Sequence, residues 1–288
     1  MVTTNARAGT AMALVSMLCV QTGLAVAIGL FDRIGVEGAV WLRLVWAGVL
    51  LLVIVRPRPA AFTWRTFRVC VLLGVVTATI TLLFMAAVAR IPLGTASALE
   101  FLGPLGVAVL TGRGRRRLLW PGLAAIGVVL LTEPFTGGID PVGVMYALVA
   151  GVAWGCYILL TQRVGDEVAG INGLAVSMPV AGIVATLVVG HTAIPRMTPE
   201  ILLIGLGLAI LLPVVPFALE LMALRRLTTA AFGTLMSLEP AFALLVGFLL
   251  LHQVPGAAGV IGICLVVAAG IGAARRGARP APVPVEVG

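Results

Sequence analysis

Ten apolar runs joined by brief connections dominate this 288-residue chain, and they restrict what it can fold into more than any other feature. A bilayer core of roughly 30 Å calls for about 20 apolar residues per helix. Runs of that kind occupy residues 9–31, 37–55, 67–89, 92–111, 118–132, 141–161, 171–190, 200–222, 229–250 and 255–273, the fifth being the shortest. The chain is 61% hydrophobic and only 10% charged, with a mean hydropathy of +1.17. Soluble domains carry about a quarter charged residues, so there is too little polar surface here to cover a water-facing globule. The runs predict an all-α integral membrane protein with ten transmembrane helices.

The net charge of +8 comes from nineteen basic residues, every one an arginine. In a soluble domain so basic a balance points to nucleic acid. In a membrane chain it points to arginine-rich cytoplasmic loops, and no nucleic-acid partner is expected. With both termini in the cytoplasm, fifteen arginines fall inside: Arg7, Arg56, Arg58, Arg65, Arg68, Arg113, Arg115, Arg116, Arg117, Arg163, Arg225, Arg226, Arg275, Arg276 and Arg279. Only Arg33, Arg90 and Arg196 fall outside, and Arg43 lies within the second run. The bias predicts a multi-pass protein of the inner (plasma) membrane with cytoplasmic termini. Residues 275–288, "RRGARPAPVPVEVG", are rich in Pro and Arg and read as a disordered cytoplasmic tail. The "AVA" at 25–27 imitates a signal-peptide cleavage site. The first run is nevertheless long enough to span, and "MALVSMLCVQTG" echoes "YALVAGVAWGCY" at the start of the sixth, so it is expected to be retained.

That echo belongs to a larger repeat. "RIPLGTASALEFLGP" (90–104) aligns without gaps to "RLTTAAFGTLMSLEP" (226–240), matching Arg90 with Arg226, Leu99 with Leu235, Leu102 with Leu238 and Pro104 with Pro240. The halves are then 1–140 and 141–274, with five helices each. Five is odd, so the second copy must enter the membrane the opposite way round. Inverted repeats of this kind are built into secondary transporters, whose sites lie near the midplane between the halves.

Four ionisable residues sit well inside the runs: Arg43, Glu100, Glu220 and Glu239. At that depth such groups are costly and face the bundle interior or a cavity. One arginine against three acids implies that at least one acid is protonated at neutral pH, as a proton-coupled carrier requires. The plainer reading is a structural Arg43–Glu pair with the other acids neutral and hydrogen-bonded. Proline lacks an N–H and frees the carbonyl four residues earlier. Pro104 thus frees the carbonyl of Glu100, Pro216 lies four residues before Glu220, and Pro240 follows Glu239 directly. A helix break is expected within one turn of every acid, where a freed carbonyl beside a carboxylate suits an ammonium group. Arg43 has no counterpart in the second half, where Met178 stands. Glu239 aligns with Gly103 and Glu100 with Met236, so the candidate site is asymmetric and suits a zwitterion. Arg43 would take the carboxylate in its planar fork, a Glu the ammonium. Gln21 would bond either end or tie helices together. Gly151 and Gly155 have GxxxG spacing for close helix approach, and His191 and His252 fall near outer helix ends.

The stretches "CVQTGLAVAIGLFDRIG", "WLRLVWAG", "IPLGTASALEFLGPL", "GVAWGCYILLTQRVG", "LPVVPFALELMAL" and "FGTLMSLEPAFAL" resemble the drug/metabolite transporter superfamily in its ten-helix EamA branch. Within it the nearest likeness is to the bacterial threonine and homoserine exporters. The resemblance runs from residue 19 to beyond 240. It implies a five-plus-five inverted repeat, an inner-membrane location and export of small amino acids, with Tyr157 and Trp154 at family positions that also suit core packing. The chain departs from the family at Val215-Pro216-Phe217, where a Pro-Tyr-Ser type sequence is usual, which leaves the choice of substrate open.

The expected function is secondary active export of small amino acids of the threonine/homoserine type, driven by proton antiport through midplane carboxylates. Efflux of drugs or other small metabolites is the alternative. The chain is only 6% aromatic and its runs are lined by Gly, Ala and Ser, which favours a small polar solute over a drug. No HExxH, GxSxG or P-loop pattern is present, so neither an enzyme nor an ATP-driven pump is expected. Cys19, Cys70, Cys156 and Cys264 are far apart and inside apolar runs, which argues against disulfides and metal sites. No cofactor is expected. The partners are a small zwitterion, a proton and the bilayer, with the protein a monomer or homodimer.

Overall fold

The computed structural model describes residues 2–58, 62–111, 119–132, 139–167, 172–224, 226–227, 232 and 235–276. Among them every regular element is a helix. The α-helices are α1 (Val2–Gly29), α2 (Phe31–Val55), α3 (Trp64–Val88), α4 (Leu93–Glu100), α5 (Leu102–Thr111), α6 (Leu119–Thr132), α7 (Pro141–Glu167), α8 (Asn172–Ala193), α9 (Pro199–Ala209), α10 (Val215–Leu224), α11 (Glu239–Leu251) and α12 (Ala257–Arg276). A five-residue π-turn, Ile210–Val214, joins α9 to α10. Five segments are long and apolar enough to cross a bilayer: Arg7–Gly29, Phe31–Val55, Trp64–Val88, Pro141–Thr161 and Asn172–Arg196. Shorter apolar helices cover Leu93–Val107, Leu119–Leu131, Pro199–Leu212, Glu239–Leu251 and Ala257–Gly272.

Local chemistry sets the helix ends. Thr63 caps α3 by accepting from the Thr66 N–H at 3.2 Å, and Thr198 caps α9 from Ile201 at 3.3 Å, with Pro199 opening the helix. Arg56 closes α2 in the left-handed conformation (φ 48°). Gly35, at φ 74° and ψ 172°, kinks the start of α2 in a way that favours glycine. The last helix reaches Arg276. Residues 277–288 lie outside the described residues, as do the connections 112–118 and 133–138.

The main packing partners are α2 with α8, α3 with α7, α6 with α12, α3 with α8, α1 with α10, and α4 with α11. Glycine permits the closest of these. A Cβ on Gly127 would stand 2.7 Å from the Gly262 carbonyl oxygen, and one on Gly262 would stand 2.7 Å from that of Gly127, so α6 and α12 touch backbone to backbone. Met17, Ile34, Leu42, Leu73, Met85, Leu93 and Leu99 are fully buried inside the bundle. Leu187 and Leu203 are 78% and 73% exposed, an apolar exterior that suits lipid rather than water.

At one end of the bundle, two arginines tie the first half of the chain to the second, and a third pairs at the junction between them. Arg33 pairs with Glu200 at 3.4 Å, Arg90 with Asp140 at 2.9 Å, and Arg196 donates to the Ile34 carbonyl at 3.2 Å beside the Gly35 kink. Asp140 also caps α7, accepting from the Val142 N–H at 2.8 Å. Arg90 and this N–H hold the Asp140 carboxyl below its ordinary range, and Asp140 in turn raises Arg90.

Candidate functional site

The four intramembrane charges converge from four helices. Arg43 comes from the middle of α2, Glu100 from the end of α4, Glu220 from α10 and Glu239 from the first residue of α11. Arg43 is within electrostatic reach of Glu100 and Glu239, Glu239 acts on Glu100, and Glu220 acts on Glu239. Among the described residues none of the four is in an ion pair within 4.0 Å. All four are enclosed by protein yet only half-buried.

Helix α1 lines this cluster with two polar side chains. Ser16 is fully buried and donates to Glu220 Oε1 at 2.8 Å and to the Pro216 carbonyl at 3.3 Å. Gln21, five residues on and 1% exposed, donates through Nε2 to Glu239 Oε1 at 3.4 Å. Its own Oε1 is buried without a partner. A carbonyl left so costs about 1–3 kcal/mol, so Gln21 is under-satisfied in this conformation. Ser16 was not among the sequence candidates. A lone serine in an apolar helix usually bonds back to its own chain, and nothing local marks Ser16 as different.

The prolines shape the backbone at each acid differently. At Glu100 the helix breaks as expected: α4 stops there, Phe101 turns, and α5 begins at Leu102. Pro104 has no N–H to offer the Glu100 carbonyl. That carbonyl faces Gly151, where a Cβ would lie 2.7 Å from it. Gly155 packs one turn further along against Val107 and Gly103, so the GxxxG pair is the seat of α4 and α5 on α7. Near Glu220 the disturbance is a π-turn that lies before Pro216 and contains Pro213, with the Val215 N–H bonding Ile210 O. Such turns recur at functional sites. Pro240 opens a helix instead of interrupting one: α11 starts at Glu239, with the proline in its first turn. Glu239 therefore sits at the positive end of a helix dipole, a favourable place for a carboxylate.

The remaining candidates lie further out. Tyr157 packs against Cys70 and Leu73 and is within electrostatic reach of Glu220, so it touches both the core and the margin of the cluster. Trp154 meets Phe101 edge-on at 6.4 Å, a packing contact beside the α4–α5 break. His191 and His252 are exposed near the ends of α8 and α11, away from the acids.

A bundle of apolar helices around an enclosed, charged, asymmetric cluster is the construction of a membrane carrier. The chain belongs to the EamA-like transporter family, whose pattern matches residues 141–274. The threonine/homoserine exporter RhtA of Salmonella typhimurium (strain LT2) is 32% identical over 268 residues, covering 90% of this chain and 88% of that protein. RhtA of Escherichia coli (strain K12) is 31% identical over the same length and shares. A protein of known crystal structure matches 92% of this chain and 96% of its own with a TM-score of 0.56 at 16% identity, a likeness of fold alone. The protein is a multi-pass membrane exporter of small molecules; its relatives are transporters, not enzymes.

Proposed function

We propose that the chain exports small amino acids of the threonine/homoserine class across the inner membrane by proton antiport through Glu239 and its neighbouring acids. The observation that carries this reading is the cluster itself. One arginine and three carboxylates lie within electrostatic reach of one another inside the bundle, a fork for the substrate carboxylate and acids for its ammonium. Three acids exceed the single arginine, so proton exchange accompanies any change in what the cluster binds. An ion gradient supplies the work, roughly 2.3 kcal/mol per charge per 100 mV.

The scaffold proposed is ten spans in two inverted halves, 1–140 and 141–274, with both termini cytoplasmic. The helix contacts support it. Exchanging each span for the one five places on turns the α3–α7 contact into α10–α1 and returns α2–α8, α4–α11 and α6–α12 to themselves. The turn at Phe101 aligns with the turn at Ser237, the one followed by Pro104 and the other by Pro240. Two of the three arginines on the outer side of this topology, Arg33 and Arg196, bond across the halves, and Arg90 holds Asp140 at their junction, so these bonds would close the outer end when the halves rock together.

Counterflow in proteoliposomes tests the reading. Vesicles loaded with unlabelled homoserine or threonine should accumulate the labelled amino acid, and a Glu100→Gln/Glu220→Gln/Glu239→Gln triple variant should not respond to a pH gradient. Absence of counterflow by correctly inserted protein refutes the amino-acid assignment.

A further inference from the structure

Away from the charged cluster, the turn between α2 and α3 and the start of α8 enclose an apolar groove of about 450 Å³, lined by Pro57, Phe62, Thr63, Trp64, Phe67 and Val176. Trp64 is 73% exposed and Phe67 38%, and their rings stack at 5.9 Å with 20° between planes. Tryptophan so exposed is favoured at the boundary between acyl chains and headgroups. Four arginines flank the lining residues within thirteen residues of sequence: Arg56 and Arg58 on either side of Pro57, Arg65 and Arg68 in the first turns of α3 beside Trp64 and Phe67. All four are exposed, and none has an ion-pair partner among the described residues. Arg56 is held in place by its left-handed backbone and by its Nε bond to the Val53 carbonyl at 3.3 Å.

We propose that this end of α3 binds an anionic phospholipid, its acyl chain along Trp64 and Phe67 and its phosphate on the forks of Arg65 and Arg68. Groove and charges complement such a lipid. The groove is apolar where an acyl chain would lie, and its rim holds uncompensated guanidinium groups whose planar geometry fits phosphate. A zwitterionic lipid would fill the groove and leave the four charges unanswered. Phe62 and Val176, which line the groove, also pack against the Cys70–Leu73 cluster that holds Tyr157, so the bound lipid lies one side-chain layer from the margin of the transport cluster. The inference rests on the membrane embedding of the chain and not on its substrate or coupling ion.

Brominated lipids read occupancy at Trp64 directly. The full chain would be reconstituted with increasing brominated phosphatidylglycerol or brominated phosphatidylcholine, and the Trp64 signal isolated as the difference between wild type and Trp64→Phe. Each arginine near a membrane surface is worth roughly a fivefold preference for an anionic headgroup. Quenching by the glycerol lipid should therefore begin at mole fractions at least about fivefold lower than by the choline lipid. In Arg65→Gln/Arg68→Gln, quenching should persist with that preference clearly reduced, Arg56 and Arg58 keeping a remainder. Equal quenching by the two lipids in wild type, or a preference unchanged by the double substitution, overturns the proposal.

Discussion

Ser16 on α1 donates a 2.8 Å hydrogen bond to Glu220 on α10, two residues 204 apart in sequence and in opposite halves of the chain. The first helix thus holds an acid of the second half, and five residues later holds another, through Gln21 and Glu239. If α1 reads these acids, removing the Ser16 donor should be felt in transport. Ser16→Ala should cost about 1 kcal/mol in stability and slow exchange markedly, while Ser16→Thr, which keeps the hydroxyl, should retain most of the rate. Counterflow rates at matched insertion decide it. An alanine variant that exchanges at the wild-type rate would leave the bond with a packing role only.

The α4–α7 crossing predicts a steep difference between two glycines one helical turn apart. A Cβ at Gly151 would stand 2.7 Å from the Glu100 carbonyl oxygen, against backbone that cannot swing aside. At Gly155 the nearest atom is a Val107 methyl at 3.3 Å, which can. Gly151→Ala should lose about 1–3 kcal/mol by overpacking, Gly155→Ala clearly less. Melting temperatures of the two purified variants in one detergent make the comparison, and equal losses would contradict this description of the crossing.

The Arg90–Asp140 pair at the outer end carries a pH signature. Asp140 is held below its ordinary value of 3.8 by Arg90 and the Val142 N–H. A depressed carboxyl contributes its stabilisation above the unfolded value and loses it as pH falls through the folded one. The difference in melting temperature between wild type and Asp140→Asn should therefore be constant from about pH 8 to pH 5, and shrink only in stronger acid. A difference that disappears near pH 6 would assign the pair no such role.

Topology is testable without transport. In a cysteine-free background, Arg115→Cys should be protected from an impermeant maleimide in intact cells and Gly137→Cys should react. Labelling of both from the same side breaks the ten-span scheme, and with it the inverted repeat.

Much of this architecture is legible in the residues, because the bilayer imposes one simple rule on length and polarity. The helices all fall on runs that composition alone marks out, and the break at Glu100 follows from Pro104, whose missing N–H acts on a carbonyl at a fixed distance in sequence. What sequence leaves open is decided by partners far along the chain or by the choice among similar backbone solutions. "LLPVVP" announces a disturbance before Glu220, yet nothing in it distinguishes a kink from the π-turn at Ile210–Val214. Pro240 reads equally well as a break in a helix or as the start of one, and only the turn before Glu239 makes it the start. Ser16 is silent for the same reason: its bond is tertiary.

The central claim is that Glu239 changes protonation as substrate crosses, and substitution with Gln isolates it. Gln keeps the shape of the side chain and its bonding to Gln21 while abolishing titration. Because coupled acids share their titration, Glu100→Gln and Glu220→Gln should be measured beside it. The decisive measurement is uptake of labelled homoserine or threonine into inverted vesicles, with and without an imposed pH gradient. The account predicts that Glu239→Gln still exchanges substrate but no longer accumulates it against its gradient when the pH difference is applied. Full pH-driven accumulation by Glu239→Gln would contradict it.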